Sequence, residues 1–257
     1  DQSASIEFMY ASERTSSENM NTIQPVVTEK LVGEMGIVLQ SAIESSFREK
    51  GIPLESVSFR HVPSSGTAGD EAFSLVVNTE ESYLRAATSQ VASILSELDY
   101  RGTTSRDFIR ARDGFRAVAR RGLDMPKTND EYTSQCINAW LYGGGLASEK
   151  SKSEFFLGKD LPVDKEKPLL DAFISAVLDK SENLTIYYYV PGGKADESAL
   201  LSTFNSAWDN ARQTLWNDQK GIPAADSVKL AKSSVKTRLK AEAEEPVLGG
   251  SVWTFAN

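Results

Sequence analysis

Alternating apolar and polar residues at the start of the chain predict a strand with one buried face. The apolar members of this alternation are Ala4, Ile6, Phe8 and Tyr10. In the segment that follows, apolar residues recur at the three- and four-residue spacing of an amphipathic helix. This helix is predicted to begin near Pro25, whose missing N–H costs nothing in a first turn, and to end at Gly51.

Two more strands and two more helices are predicted in the next part of the chain. The strands span residues 54–62 and 72–79, and the turn-forming residues between them indicate a hairpin. Thr79 is a candidate N-cap for a helix that ends at Gly102, and another helix is expected to begin near Thr104.

The spacing of Thr128 and Glu131 is that of a capping box, which predicts a helix beginning at Thr128. Tyr132, Cys136 and Trp140 recur every fourth position along this helix, so they share one of its faces. We expect that face to be buried in the core.

The C-terminal part of the chain is predicted to contain a strand over residues 184–190, a helix after Asp196 and then a polar segment. We assign residues 1–217 to one domain. Residues 218–257 are assigned to a linker and the first strand of a following domain, because residues 251–255 alternate like a strand. The linker has only a weak helical pattern, formed by Val228, Leu230, Val235 and Leu239.

Strands and helices do not alternate regularly along the chain, which argues against a doubly wound parallel sheet. An order of strand, long helix, hairpin and further helices is typical of a sheet with helices on one side. The predicted fold class is therefore α+β, with helices packed on one face of an antiparallel or mixed sheet.

The charge of the chain restricts its partners. Its 257 residues carry 28 Lys+Arg against 36 Asp+Glu, and a net charge of -8 argues against broad contact with nucleic acid. Asp107 and Asp113 interrupt the basic run from Arg106 to Arg121, so we favour a solvated helix face over an anion site. No stretch approaches the about 18 consecutive apolar residues of a membrane span, and the N-terminus lacks the regions of a signal peptide.

A single histidine and a single cysteine restrict the chemistry. His61 alone cannot supply a zinc motif that needs two or more histidines. Side chains alternate along a strand, so that of His61 lies on the same side as those of Val57 and Phe59. This position favours a structural imidazole over a catalytic one. A nucleophilic pair of Cys136 and His61 would require two predicted core faces to meet. We therefore assign no residue of this chain to catalysis, cofactor binding or metal binding.

Glycine clusters and a tyrosine triplet have structural interpretations as well as functional ones. The glycines at 143–145 do not open a helix after a strand, so they indicate a hinge or helix stop rather than a dinucleotide site. Residues 192–194 lack the spacing of a phosphate loop and indicate a strand-to-helix turn. The tyrosines at 187–189 place two hydroxyls on one sheet face and one on the other. We favour core packing with polar tips at the sheet rim over the lining of a groove.

Several segments together resemble the non-catalytic second domain of the insulinase/pitrilysin family of zinc metallopeptidases, in the form found in long bacterial members. The first is the strand at residues 4–10. In the family this strand precedes a long helix, which residues 31–47 resemble. A second group of matching segments surrounds the mid-domain helices: residues 95–98, the junction at 99–104, residues 107 and 110–111, and residues 128–132 with 140–144. The last two are the strand ending in a proline at residues 184–191, and residues 250–257, which resemble the opening strand of the next domain.

This resemblance implies the metallohydrolase-type domain of the insulinase and processing-peptidase family, and a role in the wall of a chamber that encloses an unfolded peptide. No position of this sequence matches the family's zinc motif, so zinc is expected in another domain of the parent protein and no cofactor in this chain. Expected partners are those other domains and an unfolded, basic or neutral peptide, and the expected compartment is the bacterial periplasm. The alternatives are a stand-alone inactive partner subunit or peptide-binding module, and an independent hydrolase that uses Cys136 and His61.

Overall fold

The computed structural model describes most of the chain and divides it into two compact units, Asp1–Trp216 and Asn217–Asn257. The described residues are 3–13, 16, 18–62, 71–123, 128–142, 147–158, 161–179, 183–191, 195–217, 238–245 and 250–256. The predicted loop at 63–69, the glycines at 143–145 and residues 192–194 lie outside these ranges. The assignment of residues 218–257 to a linker and a following domain stays a prediction.

The first unit is built around a four-stranded antiparallel sheet in the order β2-β3-β1-β4. The strands are β1 (Ser3–Ser12), β2 (Ser56–Val62), β3 (Glu71–Glu80) and β4 (Leu184–Tyr189). Strand β1 pairs on both sides, so that Ile6 lies between Val77 of β3 and Tyr188 of β4. The predicted alternation in β1 is confirmed, because its four apolar residues are all buried on one face of the sheet.

Seven helices belong to the described part of this unit. They are α1 (Gln24–Lys50), α2 (Leu84–Arg101), α3 (Ser105–Leu123), α4 (Asn129–Tyr142), α5 (Glu149–Phe156), α6 (Val163–Val177) and α7 (Glu197–Asn217). The predicted termini at Gly51, Thr104, Thr128 and Asp196 are confirmed. Gly51 caps α1 in the left-handed conformation, and the other three side chains accept hydrogen bonds from backbone N–H groups in the first turns of α3, α4 and α7.

The helices cover one face of the sheet and enclose the core with it. Phe8 of β1 contacts Phe204 of α7, with 5.7 Å between ring centroids. Phe73 of β3 meets Phe173 of α6 edge-on at 5.6 Å, and Phe59 of β2 lies against α1. The side chains of the opposite sheet face are mostly exposed or half-buried. The α+β class predicted from the sequence is therefore confirmed, and the sheet is antiparallel.

The predicted start of the second helix is wrong. Thr79 does not cap a helix: it lies inside β3, and its hydroxyl donates to the carbonyl oxygen of Pro53 at 2.6 Å. A 3-10 turn at Glu81–Tyr83 separates that strand from α2. The side chain suited to a cap is used instead to hold the chain segment that leads into β2.

The predicted burial of the α4 aromatic face is wrong. Trp140 is 84% exposed, Tyr132 is 53% exposed, and Cys136 is exposed as well. In the part of the chain that the structure describes, no other helix or strand packs closely on α4. Helical spacing identifies the residues that share a face, but a neighbouring element decides whether that face is buried.

The second unit contains a two-stranded antiparallel sheet. Strand β5 (Arg238–Glu245) pairs with β6 (Gly250–Ala256), and Trp253 lies opposite Glu242. The final strand was predicted, whereas β5 was not. Leu239 belongs to β5 rather than to a helix, and the other three residues of the weak helical pattern lie outside the described residues. The apolar alternation of β5 rests largely on alanines, which give a weak strand signal.

Gly102 fixes the turn between α2 and α3. Its φ of 66° and ψ of -160° suit glycine alone, and a Cβ there would lie 2.5 Å from the carboxyl carbon of Asp171. That carboxylate accepts hydrogen bonds from the N–H and the hydroxyl of Thr103, both at 2.8 Å, and pairs with Lys167. The glycine therefore allows α6 to hold the start of α3.

We predict that Gly102→Ala lowers the free energy of unfolding by about 3 kcal/mol, because it adds a steric clash to an unfavourable backbone conformation. Gly51→Ala is the matched control. Gly51 also has a φ of 66°, but nothing lies within 4 Å of the added Cβ, so its expected loss is about 1 kcal/mol. Urea unfolding of both variants measures the difference, and equal losses would contradict the assigned role of Asp171.

Candidate functional site

The outer edge of β4 pairs with no other strand among the described residues. The N–H of Ala11 donates to the carbonyl oxygen of Asn183 at 2.9 Å, one step beyond the last registered pair of β1 and β4. Hydrogen-bonded pairs alternate with non-bonded pairs in an antiparallel ladder. The backbone N–H and C=O groups of Leu184, Ile186 and Tyr188 therefore point away from β1, toward the free edge.

A groove of about 880 Å³ runs along this edge, between β4 and α7. Its lining includes every residue of β4, so the groove follows the whole length of the strand. From α7 it receives Glu197, Asn205, the half-exposed Leu201 and the buried Phe204. An extended polypeptide could pair with the free backbone groups and place apolar side chains against α7.

Two tyrosines cover the outer sheet face beside the groove. The rings of Tyr187 and Tyr189 are stacked with centroids 6.4 Å apart, and both side chains are exposed. The Tyr189 hydroxyl donates to Glu7 Oε2 at 3.2 Å, and the Ser74 hydroxyl donates to Glu7 Oε1 at 2.7 Å. The predicted alternation of the tyrosines is confirmed. The favoured core packing is wrong for these two, which line the groove instead.

The phenol of Tyr189 is held in its neutral form. Partial desolvation raises the pKa of this hydroxyl, and the hydrogen bond to the neighbouring Glu7 carboxylate raises it further. A neutral phenol remains a hydrogen-bond donor. The groove therefore carries aromatic surface with fixed polar groups along one wall.

A second candidate is a cluster of four charged side chains between α1, α3 and α6, which we call the ion tetrad. It comprises Lys30, Glu34, Arg112 and Glu166. The Lys30 Nζ lies 2.6 Å from Glu34 Oε1 and 2.7 Å from Glu166 Oε1. The Arg112 Nη1 lies 3.6 Å from Glu166 Oε2, and its guanidinium lies over the Phe108 ring.

Burial dominates the electrostatics of the ion tetrad. The Glu34 side chain is 0% exposed, and those of Lys30 and Glu166 are 15% and 12% exposed. Burial raises the pKa of the Glu34 carboxyl, while the Lys30 ammonium acts in the opposite direction. In the described ranges no group of three or more His, Cys, Asp or Glu side chains could hold a metal ion. The expectation that this chain carries no catalytic or metal-binding residue stays a prediction.

Sequence reasoning missed the ion tetrad. The four-residue spacing of Lys30 and Glu34 gives a helical ion pair, but such pairs are usually found at the surface. Lys30 and Glu166 are 136 positions apart in the chain. Only the packing of α6 against α1 brings them together.

The two remaining candidate residues, His61 and Cys136, have different surroundings. His61 Nε2 lies 3.1 Å from Glu71 Oε2, and its ring lies against Phe73 at 5.1 Å. Cys136 is exposed on α4, so the predicted core position of this thiol is wrong. The contacts that the structure describes hold His61 against β3 and give no support to a Cys136–His61 pair.

The basic run on α3 is divided between two environments. Arg116 donates to the carbonyl oxygens of Leu157 and Gly158 at the end of α5, and Arg112 belongs to the ion tetrad. The other arginines of the run are exposed, as expected for a solvated face: Arg106, Arg110, Arg120 and Arg121. Val118, an apolar residue of the same helix, is 53% exposed.

Solved structures with this architecture include bacterial peptidases. A predicted insulinase-family protease from Yersinia pestis matches with a TM-score of 0.61 at 13% identity, over 80% of this chain and 43% of that chain. The periplasmic protease PqqL from Escherichia coli gives a TM-score of 0.61 at 10% identity, over 100% of this chain and 28% of PqqL. The inactive peptidase domain of a zinc protease from Bordetella parapertussis gives a TM-score of 0.51 at 11% identity. That match covers 76% of this chain and 94% of the Bordetella domain. The chain has the fold of an insulinase-family peptidase domain.

The insulinase-family fold is established here by architecture alone. No protein-family model and no curated protein matches the sequence. The chain spans 43% of the length of the Yersinia protease and 28% of that of PqqL. Identities this low establish a shared fold, and function has to be argued from the residues.

None of the helices in the described ranges is both long and apolar enough to cross a membrane.

We predict that raising the pH above 4.5, the ordinary pKa of glutamate, lowers the free energy of unfolding of the wild-type chain more than that of Glu34→Gln. The native carboxyl holds its proton to a higher pH than the unfolded one, so ionisation opposes folding in this interval. The loss is complete once the pH exceeds the raised native pKa. Chemical unfolding between pH 4 and 8 measures the effect. Glu49→Gln, which removes an exposed carboxylate of the same helix, controls for the change in net charge, and a pH-independent difference would contradict the prediction.

Proposed function

We propose that this chain is a non-catalytic domain of a zinc metallopeptidase, and that its groove along β4 binds an extended segment of an unfolded peptide. The observation that supports this proposal is the free edge of β4, which lies inside a groove of about 880 Å³ within an insulinase-family fold. An added strand gains main-chain hydrogen bonds whatever its sequence, and flanking pockets select side chains. This mode suits a protein that handles many unfolded peptides.

In this proposal the domain forms part of a chamber wall and peptide hydrolysis occurs elsewhere. Zinc belongs to another domain of the parent protein, where it activates water. The shared fold with inactive peptidase domains and the absence of a metal-ligating cluster among the described residues support this division. The isolated chain is expected to show no peptidase activity. We also propose a periplasmic location, since PqqL is a periplasmic protease of the same fold.

A second candidate is an inactive subunit that assembles with a separate catalytic chain. The exposed aromatic face of α4 favours it, because large apolar side chains clustered at a surface mark interaction sites. Binding a zinc-bearing domain of the parent protein in trans should bury Trp140 and shift its fluorescence to shorter wavelength. Trp140→Phe removes this signal while keeping an aromatic contact. A complex that forms without a shift would place the interface elsewhere.

We predict that Ile186→Pro weakens binding of a fluorescein-labelled unfolded peptide about tenfold, because it removes one N–H from the free edge. The β1 ladder is preserved, since that N–H points away from β1. Ile186→Ala is the matched control: it also shortens the side chain but keeps the N–H. Fluorescence anisotropy gives the dissociation constants, and circular dichroism checks folding. Equal affinities for the two variants would count against pairing at this edge.

A further inference from the structure

A carboxylate on the open face of the sheet lies near the groove without a cationic partner. Glu7 of β1 is half-buried and lies directly opposite Tyr187 of β4, so their side chains share this face. The Tyr189 hydroxyl donates to Glu7 Oε2 at 3.2 Å, and the Ser74 hydroxyl donates to Glu7 Oε1 at 2.7 Å. No Lys, Arg or His in the described ranges forms an ion pair with this carboxylate. Two neutral hydroxyls therefore fix its position and leave its charge unpaired.

The fixed carboxylate can accept further hydrogen bonds. An ionised carboxylate offers about four acceptor positions, and the hydroxyls of Tyr189 and Ser74 occupy two of them. Hydrogen bonds between a cation and a carboxylate are about twice as strong as those between neutral groups. A cationic side chain of a bound peptide would thus gain more from Glu7 than a neutral one.

The stacked tyrosines lie on the route from the free edge of the sheet to this carboxylate. Strand β4 separates β1 from the free edge, so a side chain that reaches Glu7 from an added strand has to cross the aromatic rings. Tyr187 and Tyr189 are 42% and 55% exposed, with ring centroids 6.4 Å apart. Aromatic faces attract cations, and the planar guanidinium group of arginine also stacks on them. The rings therefore favour a cationic side chain over a neutral polar one.

The spacing of the strands sets the length of the side chain that fits. Neighbouring strands lie about 4.7–4.9 Å apart, so a peptide paired with β4 would lie about 9–10 Å from β1. A peptide residue opposite Tyr187 points to the same sheet face as Glu7. Short side chains end before the carboxylate at this distance. Arginine can lay its apolar stem along the tyrosine and place its charged head at the carboxylate.

We infer that Glu7, Tyr187 and Tyr189 form a subsite that selects an arginine side chain of the bound peptide. This inference rests on the proposed function, because a peptide strand at the free edge of β4 brings the arginine to the subsite. The intervening side chains of that strand point to the other sheet face, toward Leu201 and Phe204 of α7. The preferred segment is therefore one in which arginine alternates with apolar residues.

The other carboxylate of the groove provides a comparison. Glu197 is exposed in the first turn of α7, on the helix-covered side of β4. Among the described residues no side chain donates a hydrogen bond to it or pairs with it, so its carboxylate is not fixed as that of Glu7 is. Substitution of each glutamate by glutamine thus distinguishes a positioned subsite from a general attraction to negative charge in the groove.

The test compares two fluorescein-labelled peptides by fluorescence anisotropy. In one peptide arginine alternates with valine, and in the other citrulline replaces arginine, which removes the charge at nearly the same shape. We expect the wild-type chain to bind the arginine peptide about tenfold more tightly. Glu7→Gln keeps the shape of the side chain and should remove most of this preference, and Tyr187→Ala should reduce it about threefold. Glu49→Gln, on an exposed position of α1, controls for net charge and should keep it.

The outcomes separate the arginine subsite from the proposed function. If both peptides bind the wild-type chain equally and Ile186→Pro weakens both, the β4 edge binds peptides and the subsite is wrong. An arginine preference that survives Glu7→Gln, or that Glu197→Gln removes instead, also contradicts the subsite. If neither peptide binds, the proposed function and the subsite both fail. If circular dichroism shows that Glu7→Gln is unfolded, Tyr187→Ala decides, and an unchanged preference in that variant contradicts the inference.

Discussion

The rest of the first unit depends on the one-sided burial of β1. This strand is paired on both edges, so its backbone is fully used within the sheet and only its side chains can contact other elements. Every second side chain, from Ala4 to Tyr10, is buried beneath helices. Because alternation along a strand has a period of two, a shift of one residue would place the apolar set on the open face. The register of β1 thus determines which sheet face the helices cover.

The same constraint limits where the proposed peptide would bind. With helices on one face, the sheet can offer a partner only its open face or a free edge. The edge of β4 differs from an ordinary exposed strand because α7 lies beside it and turns the edge into a groove. Natural proteins usually protect an unpaired edge against aggregation. None of the described residues adds a strand to this edge, which fits the peptide-binding role proposed for it.

Local signals predicted the elements, and long-range packing decided what they do. The strand alternation of β1 and the caps at Gly51 and Thr128 rest on interactions within a few residues, so the sequence alone was sufficient. Trp140 shows where such reasoning ends, since its helical spacing was correctly interpreted and its burial was not. The free edge of β4 and the ion tetrad depend on strand order and on the packing of α6. Neither follows from spacing along the chain, and the resemblance to insulinase-family domains supplied the fold without supplying these sites.

The ion tetrad is better understood as a determinant of helix register than as a source of stability. Apolar residues of similar volume often replace buried ion pairs without loss, whereas a single unpartnered buried charge is strongly destabilising. Lys30, Glu34, Arg112 and Glu166 come from three helices, so only one mutual arrangement brings every charge to an opposite one. A slip of α6 by one turn, about 5.4 Å, would remove Glu166 from Lys30 and Arg112. The apolar contacts of α6 could adapt to such a slip more easily than the charges, and the tetrad therefore selects the observed packing of α6 against α1 and α3.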